Sequence, residues 1–202
     1  MMNQKKLDDA IKHLCADSKL KPLIKKYGKP DFGVSDGHFK SLIKYIIYQQ
    51  LSIQSAKAIY TRFLDLFNNK HTPRTLNVIN DAILKDIGVS KQKINYIKEI
   101  TKYFLNHNID FNSLTNKAVY DELIQIKGIG PWTIDIFLMF TLYRTDILPV
   151  GDLGIKKGFK ILYNLDDLPT DKFMIDKAKD WVPYQSIVAM YLWKIVDGDI
   201  VF

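Results

Sequence analysis

Apolar residues recur at helical spacing along most of this chain, and no stretch alternates convincingly at the two-residue period of a strand. Residues 4–27 carry two short helical patterns, with Leu7, Ile11 and Leu14 on one stripe and Leu20, Leu23 and Ile24 on the next. Residues 39–48 predict a strongly apolar helix. Ser52 is placed to cap a helix over 53–67, because its hydroxyl can accept an N–H of the first turn. Thr72-Pro73 opens a helix expected to run through Leu84, and Ser90 caps one over 91–104, where Ile94, Ile97, Ile100 and Phe104 share a face. Further helices are predicted over 116–127, over 131–143, from Asp152 through Ile155, Phe159 and Leu162, and from Trp181 through Trp193. Asp146 to Pro149 reads as loop, and no repeat, low-complexity tract or flexible linker interrupts the pattern. The expected fold class is all-α.

Two adjacent glutamines, Gln49 and Gln50, stand between two apolar helices. A polar interhelical turn would account for them, and so would a contact surface.

Composition narrows the partner. Among 202 residues 47% are hydrophobic, which supports a folded core, and the formal charge is +7. Lysines crowd the start of the chain at Lys5, Lys6, Lys12, Lys19, Lys21, Lys25, Lys26 and Lys29. An excess of positive charge favours a polyanion without choosing which one. Cys15 is the single cysteine, so an internal disulfide, a cysteine zinc site and a four-cysteine iron–sulfur cluster are excluded. His13, His38, His71 and His107 are scattered, and no transition metal is implied. The N-terminal residues lack an apolar h-region, and no run of about 18 apolar residues suggests a membrane span, so an intracellular protein is expected.

Chemistry concentrates in two places. In Leu123-Ile-Gln-Ile-Lys-Gly-Ile-Gly-Pro-Trp-Thr133, a helix ends, Gly128 and Gly130 supply a turn that side chains would obstruct, and Pro131 starts a second helix. Backbone N–H groups at such a corner make an anion site. Asp135 lies on the polar side of the second helix and is expected to be a structural hydrogen-bonder. In Pro149-Val-Gly-Asp-Leu-Gly-Ile-Lys-Lys157, Asp152 opens a helix. Taken alone, these are a helix corner and an N-cap.

Four strings alter that reading: GIGPWT at 128–133, PVGDLGIKKGF at 149–159, IGVSxQKxxYI from Ile87 to Ile97, and WxPYxSxxAxYLW from Trp181 to Trp193. In this order they resemble the HhH-GPD DNA glycosylases, most of all the alkylation-repair branch of the 3-methyladenine DNA glycosylase II type. The resemblance runs from about residue 37 to 196. It implies two helical lobes flanking a DNA-binding cleft. One lobe would span about 37–135, with the hairpin at 118–143, and the other would join 1–36 to 144–202. No room is left for the N-terminal β domain of larger bacterial relatives.

The resemblance also implies residue roles. Asp152 would be the catalytic carboxylate, stabilising the sugar cation left when the base departs. Trp132 and Trp193 would wall the base pocket, where cationic alkylpurines meet aromatic faces. Aromatics of the family's pocket are replaced here by Ile136 and Leu153, with Tyr45, Tyr48, Tyr184 or Tyr191 as candidates to compensate. Gln50, with Gln49 beside it, would enter the duplex where the target nucleotide leaves. The N–H groups of Gly128, Gly130 and Thr133 would hold a phosphate, with Lys156 and Lys157 as further phosphate contacts. Carbonyls of Ile124, Ile126 and Ile129 would bind a structural Na+ or K+. Trp132 stands where bifunctional members carry a nucleophilic lysine, so a Schiff base is excluded and a monofunctional enzyme is expected.

The expected partner is double-stranded DNA with a damaged base, met by a monomer in the cytoplasm or nucleoid of a bacterium or the nucleus of a eukaryote. Three readings stay open: an alkylbase glycosylase, a glycosylase of the same fold for a deaminated, oxidised or mismatched base, and a non-catalytic DNA-structure-binding module.

Overall fold

The computed structural model describes residues 2–197, with α-helices, two short 3-10 turns and no strand among them. In chain order the helices are α1 (Gln4–Leu14), α2 (Leu20–Tyr27), α3 (His38–Tyr48), α4 (Ile53–Leu66), α5 (Pro73–Asn77), α6 (Asp81–Asp86), α7 (Lys91–Asn106), α8 (Asn116–Leu123), α9 (Pro131–Phe140), α10 (Leu153–Tyr163), α11 (Asp171–Lys177) and α12 (Gln185–Asp197). The chain divides into two compact units, Met1–Val34 with Leu138–Phe202, and Ser35–Phe137. The boundary falls inside α9.

Local chemistry sets most helix starts. Ser52 accepts the Ser55 N–H at 3.3 Å, Ser90 accepts that of Lys93 at 3.3 Å, and Asp152 accepts that of Ile155 at 2.9 Å. Thr72 and Thr75 cap reciprocally. Each such bond satisfies a donor that the helix itself leaves orphaned.

Helix ends depart from expectation. The helix expected over 72–84 is two, because Asn80 adopts an extended backbone and caps α6 through its side chain. The helix expected to reach 127 stops at Leu123, where the chain enters the hairpin turn. The one expected to reach 143 stops at Phe140, and Tyr143 takes a left-handed φ of 55°. Trp181 lies in a 3-10 turn and not in the last helix, which begins at Gln185. Helix α11 went unpredicted, because its seven residues bury only Met174 and so carry almost no periodic signal.

In the Ser35–Phe137 unit, α3 packs against α4 and α7, and α5 and α6 close on α7. Its interior is Phe39, Leu42, Ile43, Ile46, Phe63, Ile94, Ile97, Ile100, Phe111, Ile134 and Phe137. His71 is sealed among Phe39, Phe63 and Phe67 with neither ring nitrogen hydrogen-bonded, and burial pushes its pKa down to about 4. It is a neutral member of the core.

In the other unit, α10 lies against α12. The two ends of the sequence are tied together there. Trp181 Nε1 donates to Asp17 Oδ2 at 3.0 Å, and the Tyr191 hydroxyl donates to the Gly28 carbonyl at 2.7 Å. Tyr191 is fully buried and Tyr45 is 3% exposed, so both are core residues and neither compensates in a pocket. The approach of α10 to α12 is set at Gly158, where an added Cβ would lie 2.7 Å from both Cβ and the carbonyl oxygen of Leu192. Backbone cannot yield as a side-chain tip can. Gly158→Ala is therefore expected to lower stability by about 1–3 kcal/mol, read as a fall in Tm of several degrees by calorimetry.

Candidate active site and DNA interface

Each unit carries part of the expected residue set. The unit formed by the two chain ends holds Asp152. This aspartate is the N-cap of α10, with an extended backbone at φ −81° and ψ 128°. Its Oδ1 accepts two hydrogen bonds, from the Ile155 N–H at 2.9 Å and from Trp193 Nε1 at 2.9 Å. The first bond is local and the second reaches across from α12. Together they fix the rotation of the carboxyl group and complement negative charge at the start of the helix. Asp152 is half-buried.

The indole reaches that oxygen only because residue 154 is glycine. A Cβ there would stand 2.8 Å from Trp193 Cδ1 and 3.0 Å from both Trp193 Nε1 and Asp152 Oδ1. Gly154 and Gly158, one helical turn apart, thus bring α12 close to α10 at the point where the carboxylate sits. The approach to Asp152 is pinned as well. The Ser186 hydroxyl, fully buried, accepts the Ile147 N–H at 3.0 Å and donates to the Ile147 carbonyl at 3.1 Å, while the Ser186 N–H donates to Thr145.

Trp193 corrects the sequence reading. It is 2% exposed, too little for its face to receive a base, and Phe140 packs beside it. Its part is the indole N–H on Asp152. Lys156 is also engaged, with its ammonium 2.9 Å from Asp171 Oδ1, whereas Lys157 is exposed. Leu153 is 55% exposed and Ile136 is fully buried, so the two apolar replacements have different surroundings.

The Ser35–Phe137 unit holds the hairpin. Between α8 and α9 the chain turns at Gly128, whose φ is 99°. Only glycine adopts that conformation at little cost, and here a Cβ would also lie 2.2 Å from the Tyr96 ring. Gly130 differs. A Cβ there meets nothing within 4 Å, so the space beside it is open. The Gly130 carbonyl accepts the Ile134 N–H at 3.1 Å and opens α9. Pro131 follows, and the N–H groups of the first turn of α9 have no partner within the helix. Thr133 is 1% exposed, and its hydroxyl accepts Gln49 Nε2 at 2.9 Å. The hydroxyl serves the interior of the hairpin, while the phosphate contact expected of this residue is through its main-chain N–H in the first turn of α9.

The two glutamines separate. Gln49 Nε2 also donates to the Gly128 carbonyl at 3.1 Å, so this side chain is tied to the hairpin and is not placed to enter a duplex. Gln50 is exposed, with a left-handed φ of 54°. Leu51 and Ile53 beside it are 40% and 45% exposed. The α3 C-terminus beneath this turn is held by Lys93, whose Nζ donates to the carbonyls of Ile47 and Gln49, each at 2.7 Å. Burial lowers the pKa of that amine. Sequence reading met Lys93, Ser186 and Gly154 only as letters of the family-like strings and gave them no role. The spacing of Gly154 and Gly158 on one helix face was the signal for the last.

Trp132 is half-buried at the start of α9. One turn further on is Asp135, which burial pushes up to about 7. The structural hydrogen bond expected of Asp135 is absent: no bond or ion pair among the described residues offsets its burial. Ile126 accepts the Ile129 N–H at 3.0 Å in the turn itself. Among the described residues no group of three acids, histidines or cysteines is placed to hold a metal ion. No helix there is long and apolar enough to cross a membrane.

The sequence matches the profile of HhH-GPD superfamily base excision DNA repair proteins over residues 43–184. The chain belongs to the HhH-GPD superfamily. Among its relatives, DNA-3-methyladenine glycosylase 1 of Schizosaccharomyces pombe is 33% identical over 162 residues, 77% of this chain and 71% of the relative. Alkylbase DNA glycosidase-like protein mag2 of the same yeast is 31% identical, with 92% of each chain covered. The solved structure of S. pombe 3-methyladenine DNA glycosylase (Mag1) in complex with abasic DNA superposes with a TM-score of 0.87 at 30% identity, covering 96% of this chain and 100% of that one. A DNA-3-methyladenine glycosidase from Bacillus halodurans superposes with a TM-score of 0.80 at 36% identity, covering 93% and 89%. The all-helical architecture is thus the HhH-GPD fold, and the motifs at the hairpin and around Asp152 fall within the matched span.

Two predictions test this geometry. Because the folded Asp135 carboxyl is harder to ionise than the unfolded one, its contribution to stability is full below 3.8 and is lost as pH rises to about 7. Asp135→Asn should therefore raise stability at pH 8, by at most about 4 kcal/mol, and leave it nearly unchanged at pH 4; urea unfolding at the two pH values measures the difference. At the hairpin, Gly128→Ala should cost more than 1 kcal/mol of stability, whereas Gly130→Ala should leave the Tm within a degree or two and weaken binding to duplex DNA, read by fluorescence anisotropy.

Proposed function

We propose that this HhH-GPD protein is a monofunctional DNA glycosylase of base excision repair that hydrolyses the N-glycosidic bond of extruded alkylated purines, of the 3-methyladenine and 7-methylguanine type, and leaves an abasic site. The observation that carries the reading is the Asp152 carboxyl, half-buried and held by two N–H donors at the start of α10. Departure of a base leaves positive charge on the deoxyribose. A carboxylate fixed beside that carbon stabilises the cationic transition state without reorganising, and can also orient the attacking water. A pure DNA-binding module gains nothing from an acid turned toward an anionic ligand.

The other groups divide the work of holding DNA. N–H groups of Gly128, Gly130 and the first turn of α9 grip a backbone phosphate without reading sequence, and Lys157 adds a charge contact. Gln50 enters the space that the extruded nucleotide leaves, with the exposed Leu51 lending an apolar edge to the inserted turn. Trp132 stacks on the extruded base. With Trp193 in the core and Ile136 and Leu153 in place of aromatics, little aromatic wall remains. Selection then falls on bases whose cationic form makes them good leaving groups, which favours alkylated purines over uracil or an oxidised purine.

Trp132 has no amine, so the sugar cannot be captured as a Schiff base and the strand is not cut. The carbonyls of Ile124, Ile126 and Ile129 suit a monovalent cation: they are neutral oxygens, and a carbonyl that already accepts one N–H, as Ile126 does, keeps a second lone pair. Such an ion would complement the phosphate grip by adding positive charge at the hairpin. The protein acts as a monomer inside the cell on damaged duplex DNA.

The test is release of bases from methylated duplex DNA. Wild-type protein should free 3-methyladenine or 7-methylguanine and leave strands intact until heat or alkali is applied. Asp152→Asn should slow release by about 100-fold or more while affinity for a duplex with an abasic-site analogue stays within a few-fold. Undiminished release by the variant would remove Asp152 from the mechanism. Release of uracil or 8-oxoguanine without any alkylpurine would move the protein to another lesion class.

A further inference from the structure

Gln50 is a strained residue in an exposed place. A non-glycine residue at φ 54° is disfavoured by roughly 1 kcal/mol and persists only where its surroundings over-determine it. Those surroundings are two tethers on the residue before it. Lys93 Nζ holds the Ile47 and Gln49 carbonyls at 2.7 Å, closing the C-terminal end of α3, which has no basic residue in its own last turn. The Gln49 side chain holds the Gly128 carbonyl at 3.1 Å and the Thr133 hydroxyl at 2.9 Å. Lys93 belongs to α7, and three residues further along the same helix Tyr96 packs over Gly128. One helix therefore braces both the Gln50 turn and the phosphate-gripping hairpin.

We propose that Lys93 and Gln49 are positioning residues that hold the Gln50 turn in its DNA-inserting geometry before DNA arrives, and lock it in register with the hairpin. This rests on the reading of Gln50 as the residue that enters the duplex. Physically, a turn already ordered in the free protein does not incur the entropic cost of being ordered on binding. The consequence is specific to damaged sites. Undamaged duplex is held through phosphates alone and gains nothing from an aligned Gln50, whereas a site with an extruded nucleotide does.

The experiment uses the full chain and two duplexes of one sequence, one undamaged and one with a tetrahydrofuran abasic-site analogue next to 2-aminopurine. The fluorescence of 2-aminopurine rises when its stacking is broken, so it reports insertion. Lys93→Met should lose about tenfold in affinity for the abasic duplex along with most of the fluorescence rise, and stay within about twofold of wild type on the undamaged duplex. Lys93→Arg, which can donate to both carbonyls, should recover most of that loss. Gln49→Met removes the second tether without touching Lys93; it should behave like Lys93→Met and decides the matter if the lysine variant fails to fold. Combined with Gln50→Ala, Lys93→Met should add no further loss, because both act on one interaction. Wild-type behaviour of both tether variants on the abasic duplex, equal losses on the two duplexes, or full additivity with Gln50→Ala would overturn the proposal. If Gln50→Ala itself shows no abasic-specific loss, the insertion reading fails first and takes this one with it. A loss in Gln50→Ala with none in the tether variants sinks the positioning role alone.

Discussion

A single carboxylate oxygen, Oδ1 of Asp152, receives both the Ile155 main-chain N–H and the indole N–H of Trp193. The catalytic reading of the protein depends on that junction. A carboxylate acts on a developing sugar cation only if its position and rotation are set in advance. Either donor alone would leave the carboxyl group free to turn. The second requires α12 to lie unusually near α10, and that requires Gly154 and Gly158, since a Cβ at either would stand inside contact distance of Trp193 or Leu192. Much of the packing in the unit built from the chain's two ends follows from this approach. Ser186 holds the chain before Asp152 from the start of α12, so a single helix braces both sides of Asp152.

Under the proposed function the Ser35–Phe137 unit has a different task, which is to hold a DNA strand through main-chain N–H groups of its hairpin. The hairpin turns at Gly128 into α9, and two polar side chains nearby, Lys93 and Gln49, are bonded to partners within the unit. Lys93 caps α3, and Gln49 bonds to Gly128 and Thr133. Neutral donors on such a corner would grip a phosphate at any sequence, which under the proposed function suits a search of DNA for rare lesions. Asp135 runs against this economy. It is an acid raised to about 7 by burial with no partner described, a local cost within α9 one turn from Trp132.

Within the HhH-GPD superfamily the chain is defined as much by its substitutions as by its motifs. The resemblance puts Trp132 where strand-cleaving members carry a lysine nucleophile, and under the proposed function that removes strand-cleaving chemistry. With Ile136 and Leu153 where the resemblance implies pocket aromatics, and Trp193 bonded to Asp152, the proposed function leaves base recognition to Trp132 and to the chemistry of the leaving group. These features agree with one another. A cationic alkylpurine departs readily, so the enzyme can rely on stabilising the sugar it leaves behind.

The linear sequence determined whatever depends on neighbours a few residues away. Helical periodicity set the all-α class, and the caps at Ser52, Thr72, Ser90 and Asp152 stood where expected, because an N-cap bond spans only two or three residues. The resemblance put Gln50 at the inserting position with Gln49 beside it, but the tie of Gln49 to Gly128 and Thr133, about eighty residues away, was not legible in the sequence. Nor was the difference between the two tryptophans. Trp132 stays half-exposed, while Trp193 is enclosed by a helix packing that two distant glycines permit. Lys93 stood in one of the family-like strings without a role until α7 carried it to the end of α3. Burial and long-range hydrogen bonds are properties of the packed chain, and only tertiary structure could assign them.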